Sequence, residues 1–121
     1  MRVLVVEDDP LIREMVVEGL EEEGFEVLQA ADGKEALSWC KRREADVLVT
    51  DVVLPGGTDG WQIAERCREL HPELLVIYAT GFSPVEARPV AGSLSLRKPY
   101  LPADIVAAVR TLSRGRFPSG A

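Results

Sequence analysis

The chain has 121 residues, 46% of them hydrophobic and 28% charged, which suffices for one compact core and is short for two. A formal charge of −6 excludes nucleic acid or an anionic membrane as the main partner, since both demand a positive surface. Cys40 and Cys67 lack a C-x-x-C spacing or histidines at metal spacing, which argues against a disulfide framework or a zinc site and for two buried apolar residues in a reducing cytoplasm.

From the N-terminus, VLVV at 3–6 is a continuous β-branched run, the pattern of a strand buried on both faces. No secretory leader precedes it, because strand-like sequence begins at Arg2, and no apolar run reaches membrane-spanning length. Asp9 and Pro10 then supply a cap and a first-turn proline for a helix whose apolar face is predicted to carry Leu11, Ile12, Met15, Val16 and Leu20, with Gly24 after its end. FEVLQ at 25–29 alternates and reads as an edge strand. Asp32 with Glu35 forms a capping-box pattern for a second helix, and VLV at 47–49 is a third, central strand.

Asp59 with Gln62 marks another capping box, opening a helix on which Ile63, Cys67 and Leu70 recur at helical spacing. Trp61 reads as packing, and His71, before Pro72, as a surface residue. LLVIYA at 74–79 is a fourth strand, central again, and SLSLR at 93–97 alternates like an edge. Between them SPVEARPVAGS contains two prolines, so a helix there is short, distorted or absent. A last helix follows Pro102, with Ile105, Val109 and Leu112 facing inward. This alternation predicts an α/β fold: a doubly wound, five-stranded parallel sheet in the flavodoxin-like order 2-1-3-4-5.

In such sheets ligands bind beyond the carboxyl ends of the strands, where the winding reverses. Those ends carry Glu7, Asp8 and Asp9 after strand one, Asp51 after strand three, Thr80 after strand four and Lys98 after strand five. Converging carboxylates repel one another, and a hard, oxygen-seeking cation such as Mg²⁺ relieves that repulsion while leaving water positions for a phosphate.

The acid cluster, Asp51 with LPGGTDG after it, the ATG threonine and KPY occur in order. With these motifs, residues 2 to about 113 resemble a receiver domain of the two-component response-regulator family. The resemblance implies that Asp51 accepts a phosphoryl group from a histidine kinase, a histidine phosphotransfer domain or a small acyl phosphate. Aligned on Arg13, it implies direct Mg²⁺ ligation by Asp8, Asp51 and the backbone carbonyl of Val53, and ligation by Glu7 through water, leaving Asp9 as the helix cap. Thr80 and Lys98 would each meet a phosphoryl oxygen. Pro99 matches a proline whose preceding peptide bond is typically cis. The implied chemistry is self-catalysed phosphotransfer and slow autodephosphorylation rather than turnover.

Departures from the family pattern set further expectations. The loop after Asp51 is one residue longer than the common form, as in receivers of hybrid sensor kinases. The short 81–92 connection argues against a standard dimer through the fourth helix. Ser95 stands where the family carries a switch aromatic, so signalling is expected through loops 52–60 and 81–92. Val53 and Phe82 cannot orient a hydrolytic water, which predicts a long-lived phosphoryl group.

The expected organisation is a receiver domain over 1–113 and a flexible tail over 114–121, too short to fold alone, either standing alone or belonging to a hybrid kinase. Other readings are a Mg²⁺-dependent phosphohydrolase with an aspartyl-phosphate intermediate, disfavoured by Val53 where a second acid is needed, and a pseudo-receiver that binds partners without phosphorylation. A nucleotide-binding flavodoxin-like domain fits less well, since the first loop lacks glycines.

Overall fold

The computed structural model describes residues 1–81 and 86–114. Five parallel strands, β1 (Arg2–Val6), β2 (Glu26–Ala30), β3 (Val47–Asp51), β4 (Leu75–Thr80) and β5 (Leu94–Arg97), form one sheet in the order β2-β1-β3-β4-β5. The helices are α1 (Pro10–Glu22), α2 (Gly33–Lys41), α3 (Gly60–Leu70) and α4 (Pro102–Ser113). The order expected from alternation against continuous burial is the one found: β3 is buried at every position, while β5 alternates between half-buried and exposed.

Because side chains alternate across a strand, each central strand feeds two cores. Leu4, Val6, Leu48, Val76 and Tyr78 pack under α2 and α3 with Ile63 and Cys67. Val3, Val5, Val47, Val49 and Ile77 pack under α1 and α4 with Leu20, Ile105 and Val109. Each fully buried aliphatic side chain contributes roughly 1.5–3 kcal/mol of transfer free energy.

The caps are largely those expected. Asp9 Oδ1 accepts from Leu11 N (2.9 Å), and Asp59 and Gln62 complete a reciprocal capping box. At α2 Asp32 accepts from Glu35 N (2.9 Å), half of the expected box. On α1 the buried stripe is Val16, Val17 and Leu20, whereas Leu11 and Met15 are 71% and 56% exposed. The expected apolar face is therefore too wide: 11 and 15 lie one position to the side of the 12-16-20 row that meets the sheet.

Two further expectations are corrected. Cys40 on α2 and Cys67 on α3 are joined as a disulfide, their Cα atoms 5.3 Å apart. The 27-residue separation hid this pairing, since the helices that bring the two together meet only in the fold. His71 is no free surface residue: it is the C-cap of α3, half-buried, and its Nδ1 is buried without a hydrogen-bond partner among the described residues. Between β4 and β5 the described residues 86–93 hold no helix, the absent outcome among those the two prolines allow. Pro89 lacks an N–H and disfavours helical geometry at Arg88. That segment is tied instead to α3 and β4. Arg88 meets both oxygens of Glu65 (3.3 and 3.2 Å), Arg68 reaches Ala91 O (3.0 Å), and Val90 N donates to the Tyr78 hydroxyl (3.1 Å).

Among the described residues no helix is long and apolar enough to cross a membrane. Phe82 and most of the expected tail, from 115 on, lie outside the described residues.

Candidate functional site

The parallel register carries the ends of β1, β3, β4 and β5 to one rim of the sheet, Val6 beside Thr50, Asp51 beside Ala79 and Thr80 beside Arg97. The residues following these pairs project into the crevice where the sheet order reverses. Glu7, Asp8 and Asp51 converge there, each with a carboxylate oxygen within 4.8 Å of the others. Glu7 and Asp51 are buried, at 4% and 7% exposure, while Asp8 faces solvent.

Lys98 enters from the end of β5, its Nζ 2.8 Å from Asp51 Oδ2 and 3.8 Å from Glu7 Oε2. The peptide bond from Lys98 to Pro99 is cis. Burial pulls the ammonium toward lower pKa, but the hydrogen bond and charge of Asp51, with Glu7 and Asp8, outweigh it and raise the value. The Glu7 carboxyl is pushed up to about 7, chiefly by burial and further by the charges of Asp51 and Asp8. The Asp9 N–H and the Lys98 charge oppose this rise. One ammonium facing three acids leaves an excess of negative charge over oxygen donors, and this donor set fits a hard divalent cation.

Local geometry explains the DG pair of the motif. Gly60 opens α3 with its N–H on Val52 O (2.7 Å), so close to β3 that a Cβ would fall within the radius of the Asp51 carbonyl oxygen and 2.9 Å from Val52 Cα. Only glycine fits such an approach. Thr50 Oγ1 donates to the Asp51 carbonyl (2.8 Å) and Gly60 N–H to the next carbonyl, so the backbone at Asp51 and Val52 is held from two sides.

Thr80 stands at the rim, half-buried, with Oγ1 donating to Leu96 O (3.3 Å). Val53, two residues after Asp51, is 51% exposed and apolar. Asp9 serves as the cap of α1. Ser95 is exposed and pairs with Tyr78 across β4 and β5, and the buried aromatic pair of this face is Tyr78 on Trp61, with ring centroids 4.4 Å apart.

Two residues that the motif reading left without a place in the site contribute to it. Arg13 Nη1 donates to Glu7 O (2.7 Å), fixing the turn that presents Glu7 and Asp8. The Tyr100 hydroxyl is pushed up to about 12 by burial, with Glu7 and Asp51 adding to the shift, so it stays protonated beside the acids. It also lines an apolar groove with Ile12, Met15, Pro99 and Pro102 that ends at Lys98. Arg13 was visible as a spacing; the burial of Tyr100, adjacent to the KP pair, was not.

Fold and site together define a flavodoxin-like α/β domain with an acid cluster and a lysine at the point where the winding reverses. The model of the response regulator receiver domain matches residues 3–110, and the chain belongs to that family. It is 32% identical over 109 residues to the response regulator receiver protein CpdR of Brucella abortus, covering 87% of this chain and 90% of that one. It is 35% identical over 117 residues to the probable transcriptional regulatory protein TcrX of Mycobacterium tuberculosis, covering 93% of this chain and 49% of that one. The chain thus spans about half the length of several curated relatives it matches.

Among solved structures, a response regulator receiver protein from Sinorhizobium medicae superposes with a TM-score of 0.88 at 28% identity, covering 96% of both chains. The receiver domain of the hybrid histidine kinase CckA superposes with a TM-score of 0.81 at 28% identity, covering 94% of this chain and 100% of that one. The protein is accordingly a receiver domain of two-component signalling, a signalling domain rather than a turnover enzyme, which sets the phosphohydrolase reading aside.

Proposed function

We propose that Asp51 is the phosphoacceptor of this receiver. The observation that carries the reading is the Asp51 carboxylate itself: nearly buried, 2.8 Å from the Lys98 ammonium and clustered with Glu7 and Asp8. An Asp51 carboxylate oxygen attacks the phosphorus of a phosphohistidine or acyl phosphate, the bond from phosphorus to the leaving group breaks, and an aspartyl phosphate forms. The imidazole or acyl carboxylate departs with the electron pair of the broken bond.

Asp8, Asp51 and the Val53 carbonyl would hold Mg²⁺, with Glu7 acting through water. The ion would supply charge neutralisation for the transferring group. Lys98 meets one of those oxygens after parting from Asp51, and the Thr80 hydroxyl meets another after leaving Leu96 O. The phosphodonor is a cytoplasmic histidine kinase or histidine phosphotransfer domain, and the apolar groove ending at Lys98 gives it a surface to rest on. The domain occupies 1–113 and signals through loops 52–60 and 81–92, because Ser95 cannot serve as a switch aromatic. It works alone or as part of a longer regulator or hybrid kinase.

Intact mass after incubation with acetyl phosphate and Mg²⁺, beside an Asp51→Asn variant and a chelator control, tests the reading. One hydroxylamine-sensitive phosphoryl increment, dependent on Asp51 and on metal, is expected. No adduct, with Mg²⁺ still bound, would leave a partner-binding pseudo-receiver.

A further inference from the structure

Away from the acid cluster, the helices α2 and α3 are tied at their far ends by the Cys40–Cys67 bond. Cys67 is fully buried, whereas Cys40 retains 6% exposure. A basic residue lies in the turn that ends each cysteine's helix. Arg43 N–H donates to Cys40 O (3.0 Å), with Arg43 in the left-handed region at φ 54°, and His71 N–H donates to Cys67 O (2.8 Å). Arg43 and His71 line one small cavity with both cysteines, and the buried His71 Nδ1 has no hydrogen-bond partner among the described residues. Cationic and imidazole neighbours favour thiolate over thiol, and thiolate is the species that exchanges with disulfides.

The opposite ends of the same helices abut the acceptor loop. Gly33 at the start of α2 lies against Thr58, where an added Cβ would meet the Thr58 Cβ at 3.0 Å, and Gly60 at the start of α3 lies against Asp51 and Val52. A crosslink at one end of the helix pair therefore restrains the 52–60 segment clasped at the other.

We propose that Cys40 and Cys67 form a reversible redox site, exchanging with thiols and disulfides of the glutathione class, whose state tightens or loosens the α2–α3 clasp on the acceptor loop. In reduction, an external thiolate attacks Cys40 Sγ, the sulfur–sulfur bond breaks, and Cys67 leaves as a thiolate that takes up a proton. A second external thiol attacks the external sulfur of the mixed disulfide and frees the Cys40 thiol. Two external thiols become one external disulfide, and the protein gains two electrons and two protons. Oxidation by the external disulfide is the reverse.

The test equilibrates the full chain in reduced and oxidised glutathione at several ratios, quenches with acid, and counts maleimide-reactive thiols by intact mass. Interconversion between two labels and none is expected. Reduction is expected to lower Tm by roughly 5–15 °C, given the loop the bond closes, and to speed amide exchange in 52–60 several-fold. The Cys40→Ser/Cys67→Ser double variant should behave as the reduced form in either buffer. Absence of the bond in the oxidising buffer, its survival in native protein under excess thiol, or equal exchange of 52–60 in both states would each overturn the proposal. None of these readouts passes through phosphoryl transfer, so the Asp51 reading can fail without touching them.

Discussion

The Thr80 hydroxyl donates to the Leu96 carbonyl across β4 and β5 at 3.3 Å, so its single proton is committed to the edge strand in this state. In the proposed transfer step, phosphorylation redirects that proton to a phosphoryl oxygen. Thr80→Ala removes the donor from both states: it is expected to cost about 1 kcal/mol of stability and to slow labelling by acetyl phosphate about 10–100-fold. Thr80→Ser keeps the hydroxyl and should restore most of the rate. Equal rates for Ala and Ser would remove Thr80 from the transfer step.

Lys98 is the cation that holds Glu7 and Asp51 together without metal. Lys98→Met is expected to lower Tm in chelator, because three acids are then left facing one another, and to recover part of that loss when Mg²⁺ is added. Its Mg²⁺ affinity should exceed that of the unaltered protein, since a competing positive charge is gone, while its labelling by acetyl phosphate falls. Isothermal titration read beside phosphorylation rate separates the two effects.

The Glu7 carboxyl has its pKa raised in the fold, from an ordinary 4.5 to about 7, mainly by burial. The folded protein therefore holds this proton more tightly than the unfolded chain. Its stabilising contribution is full below the unfolded value and is lost as pH rises through about 7. Metal-free protein should lose thermal stability across that interval, and Glu7→Gln should flatten the loss. Mg²⁺ affinity should climb over the same interval and level off above it, because ionised Glu7 adds negative charge and an acceptor for a water of the ion. A profile falling in the opposite direction would contradict the assignment to Glu7.

Gly60→Ala places a methyl against the Asp51 carbonyl and Val52 Cα, both backbone atoms that cannot rotate away. The expected cost is about 1–3 kcal/mol by denaturant unfolding, accompanied by weaker labelling because the acceptor's own peptide must shift.

The sheet order was legible because burial differs between strands: continuous VLVV and LLVIYA against alternating FEVLQ and SLSLR fixes which are central. The rim residues were legible because each directly follows or closes a strand, so strand ends alone bring Glu7, Asp51, Thr80 and Lys98 together. What escaped depends on distances between elements that no local pattern encodes. Cys40 and Cys67 meet only when α2 and α3 lie side by side. The two prolines left the form of the segment after residue 85 open, and Arg88, Val90 and Ala91 find their partners on α3 and β4.

Trp61 follows Gly60 directly, is 4% exposed and leans on the Tyr78 ring at 51°. Trp39 sits half-exposed on α2, its indole N–H on Gln29 O and the Arg42 guanidinium over its ring. The molecule thus carries an internal optical probe: replacing Trp39 by Phe leaves an indole emission that arises one residue from the close contact between α3 and the Asp51 backbone. Events at that carboxylate can then be followed in real time as changes in fluorescence, without any attached dye.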